Sequence, residues 1–249
     1  MKTAYIGGSG TSSLSFLAGA RSEQVDTPYG SVQIYRVELP AAGELIFLPR
    51  HNMDHSVPPH LINYQANIWA LHTLGVEGIL AVSAVGSLRP QLLPGQLVVL
   101  DSFIDMTSGR KDTFYEEGPV VHTDMTAPYC RAMSDVLLEA GKELGLELTM
   151  GCYVCVNGPR YETKAEIRAF AMLGGDVIGM TGVPEVVLAR ELGICYAGLC
   201  LVTNLGAGLT TARQSHEEVV RTMQGGLEKI EPLVVKAIAG ISALTCTDC

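Results

Sequence analysis

The sequence has no hydrophobic run long enough to cross a membrane, and it has few basic residues. No apolar stretch reaches the roughly 20 residues of a membrane span, and the N-terminal MKTAYIGGSG lacks the apolar segment and cleavage site of a signal peptide. The 17 Lys and Arg, against 26 Asp and Glu, give a formal net charge of -9 without any basic block. This balance argues against nucleic acid or an anionic membrane as partner. We expect a soluble cytoplasmic protein, in which a local pocket can still bind a small anion.

Cysteine is present in an odd number, seven in 249 residues, and a chain of this length does not need disulfides to stabilise its core. Three are expected to be reduced core thiols: Cys130, Cys195 and Cys200. Two further pairs have C-x-x-C spacing. Cys152 and Cys155 lie on a predicted strand, where residues three apart face opposite sides, so we expect no shared role for them. For Cys246 and Cys249 in the terminal TCTDC, a disulfide, a metal site and no function all stay open.

Short apolar runs alternate with helical segments, and Gly and Pro separate them. This pattern is typical of an α/β fold with a central sheet flanked by helices. The length and a hydrophobic content of 47% suit one domain over residues 1–249, ending in a C-terminal helix and a tail from about residue 235. The predicted strands are 3–6, 45–48, 79–84, 96–101, 150–156, 177–180 and 196–203. The predicted helices are 59–74, 127–144, 164–173, 184–192 and 215–242.

Several predicted strands end in small or hydroxyl residues beside glycine: IGGSG, SAVGS, GMTG and TNLGAG. Because ligands bind at the carboxyl ends of strands in open α/β sheets, we expect these ends to form one polar pocket. A phosphate site needs close backbone N–H groups, hydroxyl donors and a cation. The candidates for these roles are Ser9, Ser83, Ala84, Thr181, Arg50 and His51. IGGSG alone suits an ordinary tight turn equally well, since Ser13 stands where a dinucleotide fingerprint needs glycine.

The segment NGPRYET places an aromatic ring, Tyr161, beside a carboxylate, Glu162, just before a predicted helix. Thr163 and Glu166 have the spacing of a capping box, which accounts for those two residues but not for Tyr161 and Glu162. Asn204, at the end of an apolar strand, suits either a turn or a ligand contact. Residues 105–126 have no clean period, so we expect a functional loop or an arm that reaches a neighbouring subunit.

Seven motifs, in this order along the chain, resemble the trimeric purine nucleoside phosphorylases and the related methylthioadenosine phosphorylases. The resemblance runs from Thr3 to about Leu233. The motifs are IGGSG, RHxxxHxxxPxxINYxANIWAL, SAVGSLRP, PGQLVVLDSFID, NGPRYET, GMTGVPEVVLARELGICYA and TNLGAG. The resemblance implies a phosphorylase/hydrolase-like fold with a mixed, partly barrel-like sheet. It also implies a homotrimer, with a dimer of trimers left open, whose sites lie near subunit contacts.

The resemblance also assigns roles. The phosphate-binding positions are Ser9, Arg50, His51, Ser83, Ala84 and Thr181. The nucleoside-binding positions are Tyr161 on the base, Met180 on the ribose, Asn204, Leu205, Gly206, and His122 toward a neighbouring subunit. Asn52 replaces the glycine that is usual after Arg-His in the family, and the resemblance does not say what this changes. No metal or organic cofactor is implied, and inorganic phosphate is the co-substrate.

Three positions bear on the choice of substrate. RHxxxH and NYQANIWALHTLG resemble the methylthioadenosine branch more closely, but that branch has Ser where this chain has Glu162 and Asp where it has Asn204. A 6-oxopurine offers a donor at N1–H and an acceptor at O6, so a carboxylate and an amide donor complement it, whereas adenine reverses both groups. His216 matches a position at the sugar 5′ end that is His in relatives taking a 5′-hydroxyl and apolar in those taking methylthio, although a solvent-facing His at a helix N-terminus is the alternative.

We therefore expect a pentosyltransferase of purine salvage that phosphorolyses inosine and guanosine, with their deoxy forms as further candidates. Asn204 and Glu162 are the expected catalytic residues because they can stabilise the departing base. A thio-nucleoside phosphorylase, for methylthioinosine before methylthioadenosine, is the alternative. Two readings from other classes are a regulatory nucleotide-binding module and a nucleoside hydrolase. The first leaves Arg50, Glu162, Asn204 and His216 unexplained, and the second lacks an early acidic metal cluster.

Overall fold

The structure is a computed structural model that describes residues 1–211 and 213–246. Within these residues nine strands belong to one sheet. The strands are β1 (Thr3–Gly7), β2 (Arg21–Thr27), β3 (Gly30–Leu39), β4 (Gly43–Pro49), β5 (Gly78–Ser87), β6 (Leu97–Met106), β7 (Leu148–Val156), β8 (Val177–Gly179) and β9 (Cys195–Leu205). The helices are α1 (Tyr64–Thr73), α2 (Arg131–Glu143), α3 (Lys164–Met172), α4 (Gly182–Glu191) and α5 (His216–Ser242).

Part of the sheet closes into a barrel. Strand β5 pairs with β8 and also with β9, so that β5, β8, β7, β6 and β9 form a ring. The other strands extend from β5 in the order β1, β4, β3, β2, with parallel and antiparallel pairs. The predicted α/β fold with a mixed, partly barrel-like sheet flanked by helices is therefore confirmed.

Alternating residues of the strands bury two apolar clusters on opposite faces of the sheet. On β1, Ala4 and Ile6 belong to the cluster under α1 and α4, whereas Tyr5 belongs to the cluster under α2 and α5. The long C-terminal helix α5 contributes Ile230 and Leu233, which are fully buried. Among residues 1–211 and 213–246, no helix has both the length and the apolar character needed to cross a membrane.

All the predicted strands and helices occur, with shifted ends, but β2 and β3 were missed. Strand β2, RSEQVDT, is largely exposed and has one buried side chain, Val25, so its sequence carries no apolar run. The predicted helix 59–74 is also shorter than expected, because a 3-10 turn covers Pro59–Leu61 and α1 begins after Asn63, whose side chain accepts from the Ala66 N–H at 3.1 Å.

The local predictions around α3 and β7 are confirmed. Thr163 caps α3 by accepting from the Glu166 N–H at 3.2 Å, and the Glu166 carboxylate accepts from the Thr163 N–H at 2.7 Å. This capping box fixes where the chain enters α3, directly after Glu162. On β7, Cys155 is fully buried and Cys152 is half-buried, as expected for residues on opposite faces.

The loop from Arg50 to Pro58 carries two residues in the left-handed region of backbone conformation, Asn52 at φ 63° and His55 at φ 57°. Residues other than glycine rarely adopt this backbone conformation, and among them Asn tolerates it best. The structure thus explains Asn52 where the family has glycine. The Asn52 side chain also donates to Ser56 Oγ at 3.2 Å, so this loop keeps its turn without glycine.

We expect Asn52→Gly to leave the free energy of unfolding almost unchanged and Asn52→Ala to lower it by about 1 kcal/mol, because alanine pays the left-handed cost in full. Urea denaturation followed by circular dichroism measures both. If the Ser56 hydrogen bond were the main contribution, the glycine variant would be at least as destabilised as the alanine variant, contrary to this expectation.

Candidate active site

A cavity of about 520 Å³ opens where β1 and β4 end and beside the carboxyl-terminal halves of β5 and β9. Its volume lies within the usual range for small-molecule sites. The structure brings together in its lining most of the predicted site residues: Ser9, Arg50, His51, Ser83, Ala84, Tyr161, Glu162, Met180, Thr181, Asn204 and His216. The predicted convergence of glycine-bounded strand ends therefore holds in the structure, and the binding role of each residue stays a prediction.

Three predicted residues lie outside this lining. Leu205 is the last residue of β9, and Gly206 follows it with its N–H donating to the Ser87 carbonyl at 2.8 Å. They fix the backbone next to Asn204 and do not line the cavity themselves. His122 is exposed in the irregular segment between β6 and α2, away from the cavity of its own chain, so its predicted contact with a neighbouring subunit stays a prediction.

Arg50 is held by a buried carboxylate that the sequence did not reveal. Glu185, in the first turn of α4, accepts from Arg50 Nε at 2.7 Å and Nη2 at 2.8 Å, and both side chains are almost completely buried. Tyr196 Oη donates to the same carboxylate at 2.7 Å. Burial lowers the pKa of Arg50, but the charge and hydrogen bonds of Glu185 more than reverse this, so that the pKa is raised. Arg50 is a permanent cation in the cavity wall.

The turn after β1 approaches this guanidinium closely. A Cβ atom on Gly8 would lie 2.8 Å from Arg50 Nη1 and 3.2 Å from the Val82 carbonyl. Only glycine fits there without displacing the arginine. Nη1 also donates to that carbonyl at 3.1 Å, so Glu185 and Val82 together engage three of the five guanidinium N–H groups. Two N–H groups of Arg50 are left for an anion.

Three imidazoles stand in a row along the cavity. His55 lies 4.5 Å from His51 and 6.3 Å from His216, measured between ring centroids, and the His55 and His216 rings are nearly parallel. Burial and the Arg50 charge lower the pKa of His51 to about 4, and His51 Nδ1 donates to the Val57 carbonyl at 2.7 Å. His51 is therefore neutral near pH 7, with Nε2 as an acceptor.

His55 was not among the predicted site residues. Its Nε2 lies 3.2 Å from Ser9 Oγ, which joins the β4–α1 loop to the turn after β1. Partial burial lowers the pKa of His55, and the neighbouring His216 lowers it further. His55 is the second histidine of the motif RHxxxH, and this place in the motif was the sequence signal for it. No role was predicted for that histidine.

A bulge in β9 turns Asn204 toward the cavity. The register pairs Val85 with Val202 and Gly86 with Asn204, so Thr203 is an extra residue and two consecutive side chains reach the lining. Asn204 Oδ1 accepts from Thr203 Oγ1 at 2.9 Å, and Nδ2 donates to the Leu205 carbonyl at 3.3 Å. This fixes the amide with one N–H left for a ligand.

Glu162 and Tyr161 line the cavity. They lie in the loop that precedes α3 and ends at its capping box. Burial raises the pKa of Glu162 and that of Tyr161 above their ordinary values. Arg160 does not neutralise Glu162 directly, because its guanidinium donates to Glu166 at 2.7 and 2.9 Å instead. Glu162 therefore offers the cavity a partly desolvated carboxylate, suited to accept an N–H.

Arg110 is a further residue, after Glu185 and His55, that sequence reasoning missed. It donates to the carbonyls of Met180 at 2.7 Å and Asn157 at 3.2 Å, contacts the Val183 carbonyl and lies over the Tyr64 ring. These bonds tie the irregular segment to the loops before α3 and α4 that line the cavity. In the sequence Arg110 stands beside Lys111 in a polar stretch, a pattern typical of solvated charges rather than of a structural cation.

Comparison with known proteins agrees with this geometry. Residues 2–239 match the sequence profile of the phosphorylase superfamily. The chain is 50% identical to the 6-oxopurine nucleoside phosphorylase of Pyrococcus furiosus over 246 residues, 95% of this chain and 92% of that protein. It is 42% identical to the S-methyl-5'-thioadenosine phosphorylase of Thermofilum pendens, over 97% of this chain and 92% of that one.

The fold has a close counterpart among solved structures. The methylthioadenosine phosphorylase of Schistosoma mansoni in complex with adenine superposes with a TM-score of 0.93 at 32% identity, over 98% of this chain and 93% of that chain. Sequence and fold match over nearly the whole length of the chain. The chain is a nucleoside phosphorylase by descent and belongs to the phosphorylase superfamily.

Proposed function

We propose that this enzyme phosphorolyses the 6-oxopurine nucleosides inosine and guanosine, and their deoxy forms, to the free base and ribose 1-phosphate. One observation carries the proposal: a single cavity joins the fixed cation Arg50 to the carboxylate of Glu162 and the amide of Asn204. The similarity to the Pyrococcus furiosus enzyme supports it. An enzyme of this kind would act in purine salvage, in the cytoplasm.

The choice of base follows from hydrogen-bond chemistry. Ionised Glu162 can only accept, so it complements the N1–H of a 6-oxopurine, and the remaining N–H of Asn204 complements the O6 and N7 acceptors. Adenine would set its N1 lone pair against the carboxylate and its amino group against the amide donor. A partly desolvated mismatch of this kind can cost several orders of magnitude in specificity.

The proposed reaction breaks the bond from C1′ to N9 through an oxocarbenium-like state, by analogy with glycoside hydrolysis. Phosphate, bound by Arg50 and the hydroxyls of Ser9, Ser83 and Thr181, attacks C1′ from the opposite face and forms the new C–O bond with inversion. The electron pair of the broken bond leaves on the purine. Asn204 and Glu162 stabilise that charge more in the transition state than in the substrate.

His51 fits the phosphate role as a neutral acceptor. Because its pKa is about 4, it adds no second cation beside Arg50 near neutral pH. Its Nε2 can accept a hydrogen bond from the O–H group that a monohydrogen phosphate still carries. Inorganic phosphate is the co-substrate in this proposal, with no metal or organic cofactor among the reacting groups.

The active assembly in this proposal is a homotrimer. The segment that carries His122 also exposes Val120, at 81% of its full surface, and Val121, at 44%. Exposed apolar side chains beside a polar site residue suit a contact with a second subunit. His122 of one subunit would then complete the nucleoside site of the next.

A thio-nucleoside phosphorylase is the second candidate, since the Thermofilum pendens and Schistosoma mansoni relatives carry thioadenosine names. His216 at the cavity lining favours a 5′-hydroxyl, because an imidazole can form a hydrogen bond with a hydroxyl and gains little from a thioether. Among thio-nucleosides, Glu162 and Asn204 favour methylthioinosine over methylthioadenosine.

Purine release from inosine, guanosine, methylthioinosine and methylthioadenosine, each with and without phosphate, tests the function. We expect cleavage of inosine or guanosine that requires phosphate, with methylthioadenosine inert. Cleavage without phosphate would indicate a hydrolase, and binding without turnover would indicate a regulatory module. Preference for methylthioadenosine would show that Glu162, Asn204 and His216 do not set the specificity.

Asn204→Ala should lower kcat/KM for inosine by about 100- to 1000-fold, equivalent to about 2.7–4 kcal/mol, if the amide acts like an oxyanion donor. Asn67→Ala, on α1 outside the cavity, is the matched control and should retain activity. Thermal unfolding of both variants checks that they are folded. A folded Asn204→Ala variant with a near-normal rate would remove Asn204 from the mechanism.

The raised pKa of Glu162 predicts a pH dependence of base binding. The ionised carboxylate binds N1–H, so recognition is complete above this pKa and is lost as the pH falls through it, at a higher pH than for an ordinary glutamate. We expect KM for inosine, at saturating phosphate, to rise on acidification in the wild type and to stay flatter in Glu162→Gln. Parallel profiles in the two proteins would contradict this role.

A further inference from the structure

Three cysteines from three different elements converge far from the active-site cavity. Cys130 immediately precedes α2, Cys195 is the first residue of β9, and Cys246 follows α5. Their Sγ atoms all lie within 4.8 Å of one another. The first two side chains are buried and the third is half-buried. Such a cluster is unlike the other described thiols, Cys152, Cys155 and Cys200, which belong to no potential metal-binding group in the described part of the chain.

The spacing of the sulfur atoms matches a tetrahedral metal site. Zinc binds thiolates at about 2.3 Å, which places two sulfurs of a tetrahedron about 3.8 Å apart. The Sγ atoms of Cys130 and Cys246 are 3.8 Å apart. Cys195 completes a triangle whose longest edge needs to contract by no more than about 1 Å to reach the same geometry, a change that side-chain rotation can supply.

The backbone holds the three positions in place. The Cys130 N–H donates to the Tyr196 carbonyl at 2.8 Å, so this residue is fixed against the start of β9. The Cys195 N–H donates to the Glu77 carbonyl at 2.9 Å. Cys246 packs on the apolar cluster under α2 and α5, and the end of α5 is tied to β1 where Ser242 Oγ lies 3.3 Å from Thr3 Oγ1. A cation would thus meet a largely preformed set of ligands.

The site is separated from the chemistry. Cys195 and Asn204 lie near opposite ends of the 11-residue strand β9, about 30 Å apart at 3.3 Å per residue. His216 is the first residue of the 27-residue helix α5, about 40 Å in length, and Cys246 follows its other end. A metal at the cysteines would therefore stabilise the fold without taking part in nucleoside cleavage.

We propose that Cys130, Cys195 and Cys246 bind one zinc ion in a structural site that fastens the end of α5 to α2 and β9. Each thiol loses its proton to solvent on binding, so a zinc ion and three thiolates together carry one net negative charge. Structural zinc has four ligands. The three cysteines supply three of them, and Cys249, which the sequence analysis paired with Cys246, lies outside the described residues.

Metal content of the full-length protein, expressed with zinc in the medium, tests the proposal. Plasma mass spectrometry should find about one zinc per chain in the wild type and in the control Cys152→Ser, and close to none in Cys130→Ser. Removing zinc from the wild type with a strong chelator should lower the melting temperature, and adding zinc should restore it.

A second measurement uses only the wild-type protein, so it tests the proposal even if the Cys130→Ser variant fails to fold. Cobalt loaded into the zinc-free protein should give the intense absorption of thiolate-to-cobalt charge transfer, and a mercurial thiol reagent should abolish it. The proposal is overturned if the wild type purified with zinc contains none, if it holds a Cys130–Cys246 disulfide under non-reducing mass spectrometry, or if a folded Cys130→Ser variant keeps its full zinc content.

Discussion

The buried ion pair between Arg50 and Glu185 connects the parts of the fold that meet at the active site. Arg50 directly follows β4 of the sheet extension, Glu185 lies in α4, and Tyr196 on the barrel strand β9 donates to the same carboxylate. Removing one partner of such a pair typically costs about 3–5 kcal/mol, because the other charge stays buried. The pair therefore constrains the extension, the helix and the barrel to one arrangement, and it gives the cavity its fixed cation.

Close packing of Gly179 against Tyr153 positions another part of the cavity wall. Tyr153 on β7 accepts from the backbone N–H groups of Thr181 and Gly182 at 3.1 and 3.2 Å. A Cβ atom on Gly179 would lie 2.4 Å from the Tyr153 hydroxyl, so the barrel strand and the loop approach closely only because glycine is there. The turn that carries Met180 and Thr181 is thus positioned by a buried phenol rather than by its own sequence.

The proposed anion binding and the proposed base recognition depend on different kinds of group in the same cavity. Arg50 is charged permanently and compensated by Glu185, so its contribution changes little with pH. Glu162 has no such partner, and burial raises its pKa, so its contribution depends on pH. Asn204 is uncharged and depends on orientation, which the Thr203 bulge and hydrogen bond supply. The proposed base specificity therefore depends on Glu162 and Asn204, and not on the permanently charged Arg50.

Local sequence patterns were enough to predict the strands with apolar runs and the capping box at Thr163, because these depend on periodicity and on the spacing of capping residues. Glycine at strand ends, together with the family resemblance, led to eleven of the residues that line the cavity. They missed the hairpin of β2 and β3: β2 buries a single side chain, Val25, and the buried apolar residues of β3 are interspersed with polar ones. The partners that act across the chain, Glu185 for Arg50, Arg110 for the loops and Cys130 for Cys246, come from residues far apart in sequence. Only the tertiary structure brings them together, since the closed barrel and the buried ion pair decide which distant side chains become neighbours.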